Sequence, residues 1–150
     1  MDFDIPRDIQ DYLAELDRFI EAEIKPLEAV DDNIRFFDHR REWARTDFDK
    51  GGLPRPEWEA LLKEAKRRAD AAGHFRFGLP TEYGGQNGSN LAMAVIREHL
   101  ARKGLGLHND LQNEHSIVAN FPQILMLRDF AREDQKHLAT DALDGRFIAT

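Results

Sequence analysis

The stretch His74-Phe-Arg-Phe-Gly78-Leu-Pro80-Thr-Glu-Tyr-Gly84-Gly85-Gln-Asn-Gly88-Ser89-Asn90, running on to Gly104 through LAMAVIREHLARK, decides how the rest of the chain is read. An apolar turn, Phe75 to Pro80, leads into a polar loop, and a helix is predicted to open at Ser89 or Asn90. Pro80 fixes one backbone torsion, while Gly84, Gly85 and Gly88 permit torsions that other residues avoid. The loop is therefore expected to have a specified shape rather than to act as a spacer. Ser89 reads as a helix cap, not a nucleophile, since no Ser, His and Asp triad accompanies it. The glycines do not make a dinucleotide fingerprint, because no strand precedes them and their spacing differs. The helix that follows, predicted over Asn90 to Lys103, turns Leu91, Ala92, Val95, Ile96 and Leu100 inward and stops at Gly104.

Upstream, Ile9, Leu13, Leu16, Phe19, Ile20, Ile24 and Leu27 recur at spacings of three and four, the stripe of an amphipathic helix beginning after Pro6. Pro26 falls inside that pattern and predicts a kink, or a helix ending just before it. Asp31 to Gly52 carries many charges together with Phe36, Phe37, Trp43 and Phe48, and the aromatics argue against disorder. A short helix around Phe37 to Arg45 is expected there. Asp47-Phe-Asp49-Lys-Gly51-Gly52 invites a calcium reading, but position twelve of such a loop is Trp58 where a glutamate is required, so a polar turn is favoured. Pro54 and Pro56 introduce a helix over Glu57 to Ala72, with Trp58, Leu61, Leu62, Ala65 and Ala69 on one face and Gly73 as its stop.

Downstream, Gly104 to Leu111 reads as a loop. From about Asn113 to Phe130 the chain is apolar nearly all round, with Ile117, Val118, Ala119, Phe121, Ile124, Leu125, Met126, Leu127 and Phe130. That pattern predicts a central helix covered on every side, bent or broken at Pro122. A last helix is predicted over Arg132 to Leu143, with Leu138, Ala139 and Leu143 inward and Gly145 after it. Phe147 to Ala149 look like the opening of a strand with no partner upstream, and the 150 residues are expected to be the front part of a longer protein.

Composition bounds function. A chain of 150 residues can form one domain and bury about 70% of its unfolded surface. The net charge of −7, with 33% charged residues of both signs interspersed, offers nucleic acid no basic face. The absence of cysteine rules out disulfides and thiolate metal sites and fits a cytoplasmic protein. No apolar run spans a membrane, and MDFDIPRD has no signal-peptide character. A di-iron bundle needs paired Glu-x-x-His motifs; Asp134-x-x-His137, with Glu133 four before His137, has no second copy and reads as surface. Glu98 and His99 are adjacent and so point to different sides of a helix, with Glu98 expected to pair near Arg97 or Lys103.

Taken in order, Ile24-Lys25-Pro26, the apolar Gly78-Leu79-Pro80, Glu82-Tyr-Gly-Gly85, His115-Ser116 opening a helix, Glu133-Asp134-Gln135-Lys136 and the Asp144-Gly145-Arg146 turn resemble the amino-terminal helical domain of the acyl-CoA dehydrogenase family. The resemblance covers essentially all of residues 1–150, although Asp31 to Pro54 is longer than is usual before the second helix. It implies an all-α fold, an up-and-down helical bundle or orthogonal array of five or six helices. It implies a parent flavoenzyme that introduces a double bond between the α and β carbons of an acyl-CoA and passes electrons to an electron-transferring flavoprotein. Acyl-CoA oxidases and flavin monooxygenases share such a domain. FAD is expected in the full-length protein, held by a β-domain, with the catalytic glutamate in a second helical domain; no cofactor, catalytic residue or metal is expected in these residues, which are inactive alone.

The resemblance directs attention to His115, Ser116, Ala119 and Asn120, which on one helix would form a small, polar patch lining the acyl-binding cavity, with Ala119 leaving room for the chain. The plainer reading is a helix start touching a neighbour. Outside this family, the alternative is a free-standing helical module that dimerises through residues 117–130, and self-association through that surface is expected of the chain in either case.

Overall fold

A computed structural model describes residues 4–38, 43–109 and 117–144. The chain is mostly helical, with α1 over Arg7–Phe19, α2 over Lys25–Ala29, α3 over Pro56–Ala71, α4 over Asn90–Arg102, α5 over Pro122–Phe130 and α6 over His137–Leu143. Among the described residues the exception is a two-stranded antiparallel hairpin, β1 (Thr46–Asp47) and β2 (Leu53–Pro54), which pairs Thr46 with Pro54 and Asp47 with Leu53.

The proline inside the first helix is accommodated by a change of winding. Residues Ile20–Ile24 form a π turn in which the Lys25 N–H reaches back five residues to the Ile20 carbonyl, and Pro26 then sits in the first turn of α2. A proline there has no N–H to satisfy, and the wider turn frees the Ala22 carbonyl that its ring would otherwise strike. Ile9, Leu16, Phe19, Ile20 and Ile24 are buried along one face through both windings.

The short helix expected around Phe37 to Arg45 centres on residues outside the described ones. Asn33–Phe37 is a 3-10 turn entered through Asp31 and Asp32 in the left-handed region, and residues 39–42 lie outside the described ones. Its aromatics do pack: the Phe36 and Phe37 rings lie 5.2 and 5.8 Å from Trp58 of α3, and the Arg45 guanidinium stacks 4.4 Å over the same indole. Trp43 and Phe48 are exposed. The Asp47 to Gly52 run is the polar turn of the hairpin, its Asp47 carboxylate accepting the Lys50 N–H at 3.3 Å and both glycines at positive φ.

Helix α3 buries Trp58, Leu61, Leu62, Ala65 and Ala69 and ends at Gly73 with φ +81°. Helix α4 buries Ala92, Ile96 and Leu100, with Val95 half-buried; Leu91, expected inward, is exposed. Side chains of α1, α3 and α4 share one core with Phe36, Phe77, Leu107, Ile117 and Val118.

The apolar run near the carboxyl end departs most from expectation. Helix begins only at Pro122, so the predicted rod over Asn113 to Phe130 is a nine-residue helix preceded by a non-helical stretch, residues 117–121. Ile117, Val118, Ala119 and Phe121 are buried in that stretch, while α5 buries only Ile124 fully and leaves Met126 63% and Phe130 84% exposed. Pro122 thus starts a helix instead of bending one, the position where its missing N–H costs nothing. Hydrophobicity on all sides came from two elements read as one. The last helix is also shorter than Arg132 to Leu143: a 3-10 turn, Glu133–Gln135, precedes α6, where Ala139 is buried and Leu138 and Leu143 half-buried. The predicted stop at Gly145 and strand at Phe147 to Ala149 lie outside the described residues.

Candidate functional site

The 74–90 loop is folded back on its own backbone. The Phe77 carbonyl accepts from Gln86 and Gly88, the Leu79 carbonyl from Asn87, and the Pro80 carbonyl from Tyr83 and Gly85. These bonds require close approach: a Cβ on Gly85 would stand 1.9 Å from the Leu79 carbonyl oxygen, and one on Gly88 2.3 Å from the Phe77 ring. Arg76 holds Asp70 of α3 through two bonds of 2.8 Å and reaches the Tyr83 carbonyl at 3.4 Å, while Gln86 Nε2 donates to the Gly73 carbonyl at 2.9 Å. A bidentate guanidinium–carboxylate pair fixes orientation as well as distance. At the far end the Ser89 hydroxyl accepts the Ala92 N–H at 3.1 Å, as a cap does.

Against this loop lies the 117–121 stretch. The Ala119 N–H donates to the Phe75 carbonyl at 3.0 Å, and Phe75 and Phe121 meet edge to face with centroids 5.1 Å apart. Ala119 is buried in a small second core with Leu79, Phe121, Ile124 and Ala139, whereas its neighbour Asn120 is exposed. Helix α5 is tied to the same loop by Arg128, which lies 3.8 Å from Glu82 and pairs with Asp129 at 2.6 Å. The place where the loop, the 117–121 stretch and α5 meet is the candidate site.

Of the four residues singled out in sequence, Ala119 and Asn120 are placed here, and His115 and Ser116 lie outside the described residues. Residues 119 and 120 are not helical, so the spacing argument that set all four on one helix face fails for these two. Ala119 and Asn120 are instead consecutive residues of an irregular stretch, one turned to the interior and one to the surface.

Other candidate groups are structural. Among the described residues no set of three or more His, Asp or Glu side chains is disposed to hold a metal. Glu133 pairs with Lys136, and Asp134 with Arg132, at the surface. Glu98 pairs with Arg102 of the next turn, while Lys103 and His99 converge on Asp17 of α1 at 2.9 and 2.6 Å. Burial acts to raise the Asp17 carboxyl, but the hydrogen bonds and charges of His99 and Lys103 outweigh it and hold the group below its ordinary value. The described residues do not fit a flavin nucleotide. The 84–88 glycines face their own chain instead of a ligand, follow a 3-10 turn instead of a strand, and leave no cradle for phosphates.

The sequence did not announce the burial of several polar groups, Glu28 and His108 among them. Glu28 had a signal, since it stands four residues after Ile24 on the buried stripe. His108 had none, being one polar residue in the glycine-rich turn after α4.

No helix among the described residues is long and apolar enough to cross a membrane. Comparison with curated proteins and with solved structures found no match. The family model of the acyl-CoA dehydrogenase N-terminal domain matches residues 6–142, nearly the whole chain, from the first helix through the second core to α6. With that match and a mostly helical fold, the chain belongs to the acyl-CoA dehydrogenase N-terminal domain family.

Proposed function

We propose that residues 1–150 serve as the amino-terminal helical domain of a flavin-dependent acyl-CoA dehydrogenase, forming one wall of the cavity that receives the acyl chain. The observation that carries this reading is the pairing of Ala119 with the 74–90 loop through the Phe75 carbonyl, which sets a small side chain and the exposed Asn120 at the edge of a rigid, glycine-shaped loop. His115 and Ser116, close by in sequence, complete the proposed wall. The domain contributes shape and packing; the flavin, the catalytic glutamate and the exchange with an electron-transferring flavoprotein belong to the β-domain and second helical domain of the parent polypeptide. The exposed Met126 and Phe130 of α5 supply an apolar face for a further domain or a second copy to cover. The cysteine-free composition accords with work in the cytoplasm.

The test is steady-state turnover of the full-length polypeptide on acyl-CoAs of graded length, with electron-transferring flavoprotein as acceptor. Formation of the α,β-unsaturated thioester without oxygen uptake is the expected result. Turnover only with oxygen consumption assigns the domain to an oxidase or monooxygenase instead, and no acyl-CoA turnover with a bound flavin overturns the reading.

A further inference from the structure

The backbone of residues 76–88 is hydrogen-bonded chiefly to itself, so the loop moves as one piece, and its angle to the rest of the fold depends on the groups that reach out of it. The chain enters the loop through His74 and Phe75, whose N–H groups share the Ala69 carbonyl at 2.9 and 3.2 Å. Beyond that entry, Arg76 is the most firmly held. Its Nε and Nη2 donate to the two Asp70 carboxylate oxygens at 2.8 Å each, with both side chains partly buried, and its Nη1 donates to the Tyr83 carbonyl at 3.4 Å. The guanidinium thereby bridges the last turn of α3 and the 3-10 turn Thr81–Tyr83. The remaining links are weaker. Gln86, an exposed residue, donates to the Gly73 carbonyl, and Glu82 stands 3.8 Å from Arg128 with neither side chain buried.

Arg76 also lies between the two residues that give the candidate site its shape. On one side the Phe77 carbonyl closes the loop by accepting from Gln86 and Gly88, and on the other the Phe75 carbonyl accepts the Ala119 N–H at 3.0 Å. A rotation of the loop about this point moves the Phe75 carbonyl and Leu79 together, and Leu79 shares with Ala119 the second core. A forked guanidinium–carboxylate pair resists such a rotation because both bonds bend at once, whereas an ammonium would swivel about one.

We propose that Arg76, clamped by Asp70, is a positioning residue for the acyl-binding wall: it holds the loop at the angle that fixes Ala119, and so sets how sharply the cavity selects acyl length. The selectivity half of this rests on residues 117–121 forming that wall, as read above; the clamp itself does not.

Two variants test it. Arg76→Lys keeps the charge and loses the fork, and Asp70→Asn keeps the shape and loses the carboxylate. In the 150-residue chain, hydrogen exchange at the Ala119 amide is expected to quicken at least about threefold in each, and no further in the double variant, as befits two members of one pair. In the full-length polypeptide, the ratio of kcat/KM for long against short acyl-CoAs is expected to move toward unity by about threefold or more in each. A mere loss of folded enzyme leaves that ratio alone, because both substrates meet the same active fraction. Unchanged Ala119 exchange in both variants overturns the clamp. Quickened exchange with an unmoved ratio, in an enzyme that turns over acyl-CoAs, overturns the positioning role. Absence of acyl-CoA turnover in the wild type defeats the wall and its selectivity, and is told apart because the exchange measurement needs no substrate. Should Arg76→Lys fail to fold, Asp70→Asn carries both measurements.

Discussion

The Tyr12 hydroxyl and His74 Nδ1 share a hydrogen bond of 3.1 Å that joins α1 to the first residue after the α3 stop. His74 is 2% exposed, with its ring 4.8 Å from that of Phe19. Burial depresses its readiness to take a proton, a tendency the Glu15 charge opposes only in part, and burial likewise raises the Tyr12 phenol. Both groups are therefore neutral in the fold. Once unfolded, His74 takes up a proton at about pH 6.5. Below that pH the unfolded chain binds the extra proton and the folded chain does not, so this contribution is whole above the unfolded value and fades as pH falls toward the depressed folded one. Against His74→Asn, which cannot titrate, the wild-type advantage in Tm is expected to shrink between pH 7.5 and 5. A constant difference across that range would show that His74 charges freely in the fold.

The loop that shapes the candidate site makes a sharper claim about glycine. At Gly85 the obstructing atoms are the Leu79 carbonyl oxygen at 1.9 Å and carbon at 2.4 Å, which are backbone and cannot step aside. Gly85→Ala is expected to cost more than about 3 kcal/mol, or to remodel the loop. At Gly51, with φ +76° on the hairpin, an added Cβ would meet nothing within 4 Å, so Gly51→Ala is expected to cost only the left-handed strain, about 1 kcal/mol. Urea denaturation of the two variants side by side checks the contrast, and equal losses would refute the packing account.

Helix α5 separates packing from association. Ile124 is fully buried in the second core, so Ile124→Ala is expected to lose about 2–5 kcal/mol. Met126 and Phe130, four residues apart on an exposed face, touch little, and Met126→Glu with Phe130→Glu is expected to leave monomer stability within about 0.5 kcal/mol per site. If that face joins copies of the chain, the double variant sediments as monomer where the wild type does not. An unchanged mass distribution places self-association elsewhere.

How far the sequence foretold this depends on what each residue's signal was about. Ile9 to Ile24, Trp58 to Ala69 and Ala92 to Leu100 announced their helices because periodic burial in one element repeats in one place. Ser89 and Gly73 announced their ends because cap chemistry is local. The π turn before Pro26 was foreseen only as a kink, since the proline states that the α ladder fails without stating how the chain repairs it. Residues 117–130 misled because apolar content carries no period when all sides are hydrophobic: an irregular, largely buried stretch and a half-buried helix add up to the same composition. The site inherited that error. Ala119 and Asn120 were named through a helical spacing they do not have, and the Phe75 carbonyl that positions Ala119 comes from a residue 44 positions earlier, beyond any local pattern.

The proposed acyl wall leads to the last expectation, for the full-length enzyme. Ala119 is 1% exposed among Leu79, Phe121, Ile124 and Ala139, so a larger side chain is expected to displace its neighbours or push the 117–121 stretch outward. Ala119→Phe is therefore expected to cost about 1–3 kcal/mol of stability and to narrow the cavity beside Asn120. A pocket that discriminates by volume changes its preference by roughly tenfold or more per methylene, so kcat/KM is expected to fall for long acyl-CoAs while short ones are spared. Asn120→Ala, which removes an exposed amide without adding volume, separates shape from polarity, because it is expected to leave the length profile in place. A uniform loss across all chain lengths in Ala119→Phe would mean that the residue supports the second core and lies behind no substrate.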